Sequence, residues 1–250
     1  MHVLKNLHQV DIQQLNEKCS ADPAVKVETG RVFSNASRIQ ESITSNIERR
    51  ALLWLAGRMP AWVNSDHLTI LGFGSMVLAF ASYVLARRER FGLILATLCL
   101  ALNWFGDSLD GTLARVRNRQ RPRYGFYVDH ITDSLGALLL TSGLALSSYI
   151  DWRIAAGMLV AFLLLSIETY LATYVLHVFR LSFWKFGPTE IRILLGLGNI
   201  ALWFRPNLTV HGMPYRLFDF GGLAAIVGMG MMLLTSVVFH TARLYREESR

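Results

Sequence analysis

The sequence predicts an all-α integral membrane protein, with six transmembrane helices preceded by an amphipathic juxtamembrane helix. Hydrophobic residues make up 52% of its 250 residues, and they gather in stretches that approach the ~20 residues needed to span a bilayer core. The net charge of +7 comes largely from arginines between these stretches, which is typical of multi-pass membrane proteins. Because these arginines adjoin apolar helices, the charge indicates topology and argues against a nucleic-acid partner.

The apolar stretches divide the chain into three parts. Residues 1–33 form a polar extension, residues 34–63 an interfacial helix, and residues 64–250 the six-helix membrane domain. The predicted spans are His67–Ala86, Phe91–Leu109, Val128–Ile150, Ile154–Phe179, Thr189–Phe204 and Leu217–Thr241. Arginine placement favours a cytoplasmic location for both termini and for the loop after the second span, in the cytoplasmic membrane if the source is bacterial.

Residues 34–63 are expected to lie on the membrane surface. Apolar residues recur there at near-helical spacing, beginning with Ile39, Ile43 and Ile47, which places them on one helical face. Charged residues such as Glu48 supply a polar face. This division is typical of an interfacial amphipathic helix.

Four aspartates lie where the second span ends and the third begins. Asp107 and Asp110 are three residues apart, and Asp129 and Asp133 are four apart, so each pair shares one face of a helix. Neighbouring antiparallel helices would bring the pairs to the same depth. Since one aspartate at the bilayer centre costs about 2.5–3.5 kcal/mol, four of them require water or metal as compensation. Carboxylates favour Mg²⁺ or Mn²⁺ over zinc.

The residues beside these aspartates favour a diphosphate ligand. Gly111 and Gly125 lack side chains, which lets a flat ligand approach the helix backbone closely. Arg115 lies one turn beyond Gly111 and can donate several hydrogen bonds to a phosphate. Metal-holding acids, an arginine and bare backbone together predict a diphosphate site.

The same positions resemble the signature of the CDP-alcohol phosphotransferase (CDP-alcohol phosphatidyltransferase) family. The motif runs Asp107-x-x-Asp110-Gly111-x-x-Ala114-Arg115 and then Gly125-x-x-x-Asp129-x-x-x-Asp133, with all eight fixed positions filled. Nine residues separate Arg115 from Gly125, one more than the commonest family spacing. The segment "SDHLTILG" is similar to another family segment, with Ser65 in place of proline, and "DHITDS" and "GPTEIR" are similar to the choline/ethanolamine phosphotransferase branch.

The resemblance implies an enzyme with two divalent metal ions, Mg²⁺ or Mn²⁺, bridged by the diphosphate of a CDP-linked alcohol. It implies that Asp107, Asp110 and Asp129 are metal ligands, and that Asp133 shares a metal and accepts the proton of the attacking hydroxyl. The residues implied to bind nucleotide and diphosphate are Asp66, Thr69, Gly111, Ala114, Arg115 and Gly125. A homodimer is also implied.

Three further residues are candidates for the pocket of the acceptor alcohol. His130 points about 100° away from Asp129 on a helix, so it contacts either the acceptor or the membrane interface. Glu168 lies well inside the fourth span, where ionisable side chains are typically functional; the alternative is a structural hydrogen bond to another helix. Glu190 and Arg192 open the fifth span, where they either serve the site or only pair with each other or face the membrane interface.

The predicted reaction transfers a substituted phosphate from a CDP-alcohol to an acceptor alcohol, lipid or polar, and releases CMP in phospholipid biosynthesis. The active site would face the cytoplasm. One alternative is a phosphatidyltransferase that uses CDP-diacylglycerol and a polar acceptor. A membrane prenyltransferase would carry its two acidic motifs on distant helices, whereas here both fall within residues 107–133. A divalent-cation transporter would place acids near the bilayer middle on several helices.

Overall fold

The computed structural model describes residues 45–176, 188–204, 207–210 and 213–249. These residues form seven helices and one two-stranded antiparallel hairpin. The elements are α1 (Ser45–Arg58), α2 (Ser65–Ala86), α3 (Phe91–Val116), α4 (Pro122–Leu146), α5 (Trp152–Leu176), α6 (Pro188–Phe204), β1 (Asn207–Val210), β2 (Met213–Arg216) and α7 (Leu217–Glu248). The predicted extension 1–33 and residues 34–44 of the predicted interfacial helix lie outside the described residues.

Local signals set the helix ends near the aspartates. Asn64 precedes α2, and its backbone N–H donates to Nδ1 of His67 at 3.2 Å, as in a capping box. Helix α3 continues beyond its predicted end and stops before Asn118, which adopts a left-handed φ of 53° that asparagine tolerates well. Helix α4 begins at Pro122, well before the predicted Val128, because proline suits the first helical position. Both halves of the aspartate motif therefore lie inside helices.

Four of the described helices, α2, α3, α5 and α7, are long and apolar enough to cross a membrane. Helix α4 falls short because its first half carries Asp129, His130 and Asp133, and α6 falls short because it has 17 residues. Two of the six predicted spans are thus helices without the length or apolarity of an independent span. The hairpin is a departure from a purely helical fold, and its strands of four residues are too short to produce a period in the sequence.

Helix α2 is the centre of the packing. It packs on both α3 and α4, whereas α3 and α4 have almost no direct contact within the described residues. Helices α1 and α6 pack on α3, α5 packs on α4, and α7 packs on α5. One buried cluster, which includes Tyr83 and Leu202, lies at the end of the bundle away from the aspartates. A second, which includes Leu52 and Leu109, fastens α1 and α2 to α3 near them.

Small residues let α2 and α3 approach each other closely. A Cβ on Gly106 would lie 2.6 Å from the backbone nitrogen of Gly72 and from the carbonyl oxygen of Leu68. Asn103 donates from Nδ2 to the carbonyl of Gly72 at 3.0 Å. Small and polar residues commonly mediate such contacts between membrane helices. Since Gly106 immediately precedes Asp107, this close approach also determines where Asp107 lies.

Replacing Gly106 by alanine should therefore weaken folding. The added methyl group would meet backbone atoms of α2, and overpacking of this kind typically costs about 1–3 kcal/mol. Thermal unfolding of the purified protein in detergent should show a lower midpoint than wild type. Gly74→Ala on α2 is the matched control, because a Cβ there meets nothing within 4 Å, and its midpoint should be unchanged or slightly higher. Equal midpoints for the two variants would contradict the close approach.

Candidate active site

The four motif aspartates lie on α3 and α4, the two helices that pack on α2. Asp107 and Asp110 lie on α3, and Asp129 and Asp133 lie on α4. The carboxylate of Asp133 interacts electrostatically with those of the other three. Asp133 thus lies within electrostatic range of both members of the other pair, while α2 supports both helices instead of the helices packing on each other. Helix α2 therefore determines how the two pairs lie relative to each other.

Arg192, for which the sequence left two interpretations open, lies in this cluster. Its Nη2 donates to Oδ2 of Asp107 at 2.6 Å, and its charge also acts on Asp133. The side chains of Arg192 and Asp107 are only 14% and 23% exposed, so solvent screens the pair less than it would at the surface. Packing of α6 on α3 brings this guanidinium among the carboxylates.

Helix α2 contributes two hydroxyl groups beside Asp110. Thr69 donates from Oγ1 to Oδ2 of Asp110 at 2.6 Å, and Ser65 donates from Oγ to the backbone carbonyl of Asp110 at 3.0 Å. The backbone N–H of Gly111 donates to Oδ1 of the same aspartate. Thr69, predicted for the nucleotide pocket, therefore contacts a predicted metal ligand. Ser65, which replaces the proline of the family segment, fastens α2 to α3 at the same place.

The two motif glycines border open space. A Cβ on Gly111 or on Gly125 would meet nothing within 4 Å, so helix packing requires neither glycine. Ala114 is partly buried and Arg115 is exposed, with Nη2 of Arg115 donating to Oγ1 of Thr112 at 3.2 Å. Open space along this surface is what the close approach of a flat ligand needs. The assignment of these residues to the diphosphate stays a prediction.

Asp66, also predicted for the nucleotide pocket, binds Arg121 of the arginine-rich loop. The guanidinium of Arg121 also lies 4.3 Å from the ring centre of Tyr124, within cation–π range. Arg117 of the same loop donates to three backbone carbonyls, those of Met59, Pro60 and Val63. Arginines that the sequence assigned to topology therefore also join the loop between α3 and α4 to the segment that leads into α2.

His130 contacts Tyr170 of α5, a residue that the sequence analysis did not assign to the site. Their rings meet edge-on with centres 4.7 Å apart, and Tyr170 interacts electrostatically with Asp133 and Asp129. Nδ1 of His130 donates to the carbonyl of Phe126 at 2.6 Å, so the proton on this ring nitrogen bonds within α4. The segment Glu168-Thr169-Tyr170 is similar to the choline/ethanolamine phosphotransferase branch, but this similarity alone does not assign the side chain of Tyr170 to the site.

Glu168 and Glu190, the other two acceptor candidates, lie on different helices. Oε1 of Glu168 is 2.6 Å from Nδ1 of His240 on α7. Positions 168 and 170 point roughly 160° apart on a helix, so Glu168 and Tyr170 face different neighbouring helices. Oε2 of Glu168 is buried without a hydrogen-bond partner in the described part of the chain. Glu190 is buried in the first turn of α6. The structure therefore places Tyr170, not Glu168, against His130.

The chemistry of the cleft suits a divalent cation. Asp133 interacts electrostatically with the three other motif aspartates and with one guanidinium, that of Arg192. The cluster is therefore negative when its acids are ionised, and hard cations prefer such oxygen ligands. In the present arrangement, Asp107 is bonded to Arg192 and Asp110 to Thr69. Across the described residues, no three His, Cys, Asp or Glu side chains are gathered closely enough to hold a metal ion.

Two comparisons relate the chain to known proteins. The sequence model of the family described as CDP-alcohol phosphatidyltransferase matches residues 62–241, a range that includes every predicted site residue. The archaetidylinositol phosphate synthase of Pyrococcus horikoshii is 32% identical over 92 residues, which cover 37% of this chain and 46% of that protein. The matched segment therefore spans less than half the length of this relative.

Proposed function

This protein belongs to the CDP-alcohol phosphatidyltransferase family, and from that membership we propose that it transfers a substituted phosphate group from a CDP-linked alcohol to a second alcohol. CMP would be released, and the reaction would serve phospholipid biosynthesis. The observation that supports the proposal most directly is the electrostatic interaction of Asp133 with the other three motif aspartates. Gly111 and Gly125, which would admit the donor, both border open space.

The proposed reaction forms one bond and breaks one bond at phosphorus. The acceptor hydroxyl oxygen attacks the phosphorus that bears the donor's alcohol, and the bond to the CMP oxygen breaks as CMP leaves with the electron pair. We assign the hydroxyl proton to Asp133, which lies one turn further along α4 than Asp129. Arg115 and Arg192 would donate to phosphate oxygens or hold the carboxylates in place. Positioning and charge provide most of the catalysis in phosphoryl transfer.

We propose Mg²⁺ or Mn²⁺, two ions in all, as the cofactor, with Asp107, Asp110, Asp129 and Asp133 as the ligands. When bound, such ions neutralise charge that develops on a diphosphate. The excess of carboxylates over guanidinium in the cleft supports this proposal. Thr69 and Arg192 would act as positioning residues.

The acceptor alcohol is proposed to lie between α4 and α5, on the side of the cleft where His130 contacts Tyr170. Glu168 faces α7 instead, where its Oε1 lies 2.6 Å from Nδ1 of His240. Its Oε2 is buried without a hydrogen-bond partner among the described residues, which is costly, so an acceptor hydroxyl that bonded to it would lie on this other side of α5. Glu190 would border the same cleft from α6.

A substrate panel tests the proposed reaction. Purified protein would receive CDP-choline, CDP-ethanolamine, CDP-diacylglycerol or a prenyl diphosphate, each with diacylglycerol, inositol phosphate or glycerol phosphate as acceptor. Chromatography would follow CMP and diphosphate, and mass spectrometry would identify lipid products. CMP together with a new phospholipid is the expected result. Diphosphate release would identify a prenyltransferase, and release of neither would reject both transferases in favour of transport.

A lipid donor is the second candidate. The relative from Pyrococcus horikoshii is named for archaetidylinositol phosphate, which favours a lipid-linked donor and a polar phosphorylated acceptor. The "DHITDS" and "GPTEIR" segments favour a soluble donor and a lipid acceptor. Turnover of CDP-diacylglycerol without turnover of CDP-choline or CDP-ethanolamine would decide for the lipid donor.

We further propose that all six helices α2–α7 cross the membrane, with the cleft and both termini on the cytoplasmic side. Exposed apolar side chains such as Leu98 and Leu234 suit contact with lipid. A single cysteine at Arg119, in a chain with Cys19 and Cys99 replaced by serine, should react with an impermeant maleimide only from the cytoplasmic side. A cysteine at the exposed Trp152 should react only from the other side, and reversed labelling would contradict this topology. The homodimer proposed from the resemblance would be measured by light scattering and cross-linking.

A further inference from the structure

One carboxylate oxygen of α1 joins three helices beside the cleft. Oε1 of Glu48 accepts hydrogen bonds from Nε1 of Trp104 at 2.9 Å, from Oγ1 of Thr189 at 2.8 Å and from Oγ of Ser108 at 3.4 Å. Trp104 and Ser108 belong to α3, and Thr189 belongs to α6. We call these four side chains the Glu48 clasp.

The clasp adjoins the Asp107–Arg192 pair on both helices. Trp104 and Ser108 flank Asp107 along α3, and Thr189 lies three residues, nearly one turn, before Arg192 on α6. Helix α6 has 17 residues, and the clasp fixes its first turn against α3. A shift of that turn would move Arg192 away from Oδ2 of Asp107, which it now contacts at 2.6 Å.

Packing holds α1 in the position that the clasp requires. Leu52 and Ala56 are buried in the cluster that also contains Leu109 of α3, whereas Leu53 and Trp54 of α1 are exposed. Helix α1 is therefore packed against α3, and this packing holds Glu48 close to its three donors. Hydrogen bonds to a carboxylate are stronger than those between neutral groups. Removing this acceptor would leave donors unsatisfied in a shielded site, which costs free energy.

We propose that Glu48 is a positioning residue of the active site: through the clasp, α1 sets the geometry between Asp107 and Arg192, and thereby the affinity for the CDP-linked donor. The substrate in this inference rests on the proposed function, whereas the clasp does not. Helix α1 thus becomes part of the catalytic unit, where the sequence predicted a helix on the membrane surface.

Steady-state kinetics of the full chain in nanodiscs test the role of Glu48. Glu48→Ala should raise the KM for the donor about tenfold and lower kcat by up to about 10²-fold, the scale expected for a displacement of roughly 1 Å. Glu48→Gln keeps an acceptor oxygen and should stay within about threefold of wild type. Arg50→Ala, at an exposed position of the same helix, is the matched control and should match wild type. A lower kcat at unchanged donor KM in Glu48→Ala would indicate mere loss of folded protein and would overturn the proposal.

A double-mutant cycle tests whether Glu48 acts through α6. Thr189→Val removes one donor of the clasp and keeps the shape of the side chain. Because Glu48→Ala already breaks that hydrogen bond, the double variant should be no slower than Glu48→Ala alone. Effects that multiply would overturn the link to α6.

Amide hydrogen exchange tests, without any substrate, whether the Glu48 clasp stabilises the start of α6. Amides of residues 192–196, which bond to the first turn of α6, should exchange at least about tenfold faster in Glu48→Ala and at the wild-type rate in Glu48→Gln. Failure of the wild-type protein to release CMP would reject the proposed function while this measurement still decides on the clasp. Unchanged exchange in Glu48→Ala would overturn it.

Discussion

Replacing Asp133 by asparagine should lower turnover by about 10²- to 10⁴-fold, the usual range for a lost general base, while donor binding remains measurable. The amide is nearly isosteric with the carboxylate but is a far weaker base. Asp107→Asn should lose both donor binding and turnover, since Asp107 is a proposed metal ligand next to the glycine-bearing surface of α3. Binding would be measured by calorimetry with a CDP-alcohol and turnover by CMP release.

The control for this comparison is Asp219→Asn at the far end of the bundle. Oδ1 of Asp219 accepts from the backbone N–H of Asp151 at 2.6 Å, and an amide oxygen can accept the same bond, so turnover should stay near wild type. Substantial turnover in Asp133→Asn would transfer the role of base to another group, with Glu168 and His130 as the next candidates. Loss of donor binding as complete as in Asp107→Asn would make Asp133 primarily a ligand.

Removal of divalent metal should abolish turnover, by at least about 10³-fold, because charge stabilisation by such ions is worth several kcal/mol. Without cations, the carboxylates around Asp133 would repel the diphosphate of the donor. CMP release would be followed in excess chelator and again after addition of Mg²⁺ or Mn²⁺, which should restore it. Circular dichroism should show the same helical content in both states, so that lost activity is not lost structure.

The outcome that contradicts the metal prediction is equally specific. Full turnover in excess chelator, with elemental analysis finding no bound metal, would eliminate the two-metal site. The aspartates would then act through hydrogen bonds and proton transfer alone.

Hydropathy was sufficient to find the apolar helices but not their true ends. Helices α2, α3, α5 and α7 are apolar along most of their length, which is the property that hydropathy measures. Helix α3 continues to Val116 and α4 begins at Pro122. Hydropathy misses these ends because polar side chains can also occupy a helix, whose length depends on its backbone hydrogen bonds. The spacing of the aspartates depended only on helical geometry, and in the structure Asp133 interacts electrostatically with the other three.

Local sequence patterns do not predict contacts between residues that are far apart along the chain. Arg192 lies 85 residues from Asp107, and Thr189 lies 141 residues from Glu48. Each of these side chains also fits an interfacial position, so composition and periodicity do not separate the two possibilities. Their contacts depend on the packing of α1 and α6 on α3, which places these side chains next to each other.

Helix α3 runs without interruption from Phe91 to Val116, and this continuity affects how phosphate is recognised. Amide groups inside a helix already bond to carbonyls one turn back, whereas the free amides at a helix N-terminus bind anions by themselves. The motif surface of α3 therefore offers a diphosphate its side chains, and the cations proposed to bind them, but no backbone donors. With the proposed two-metal site, loading of this protein with its donor should consequently follow the concentration of free divalent cation in the compartment that its cleft faces.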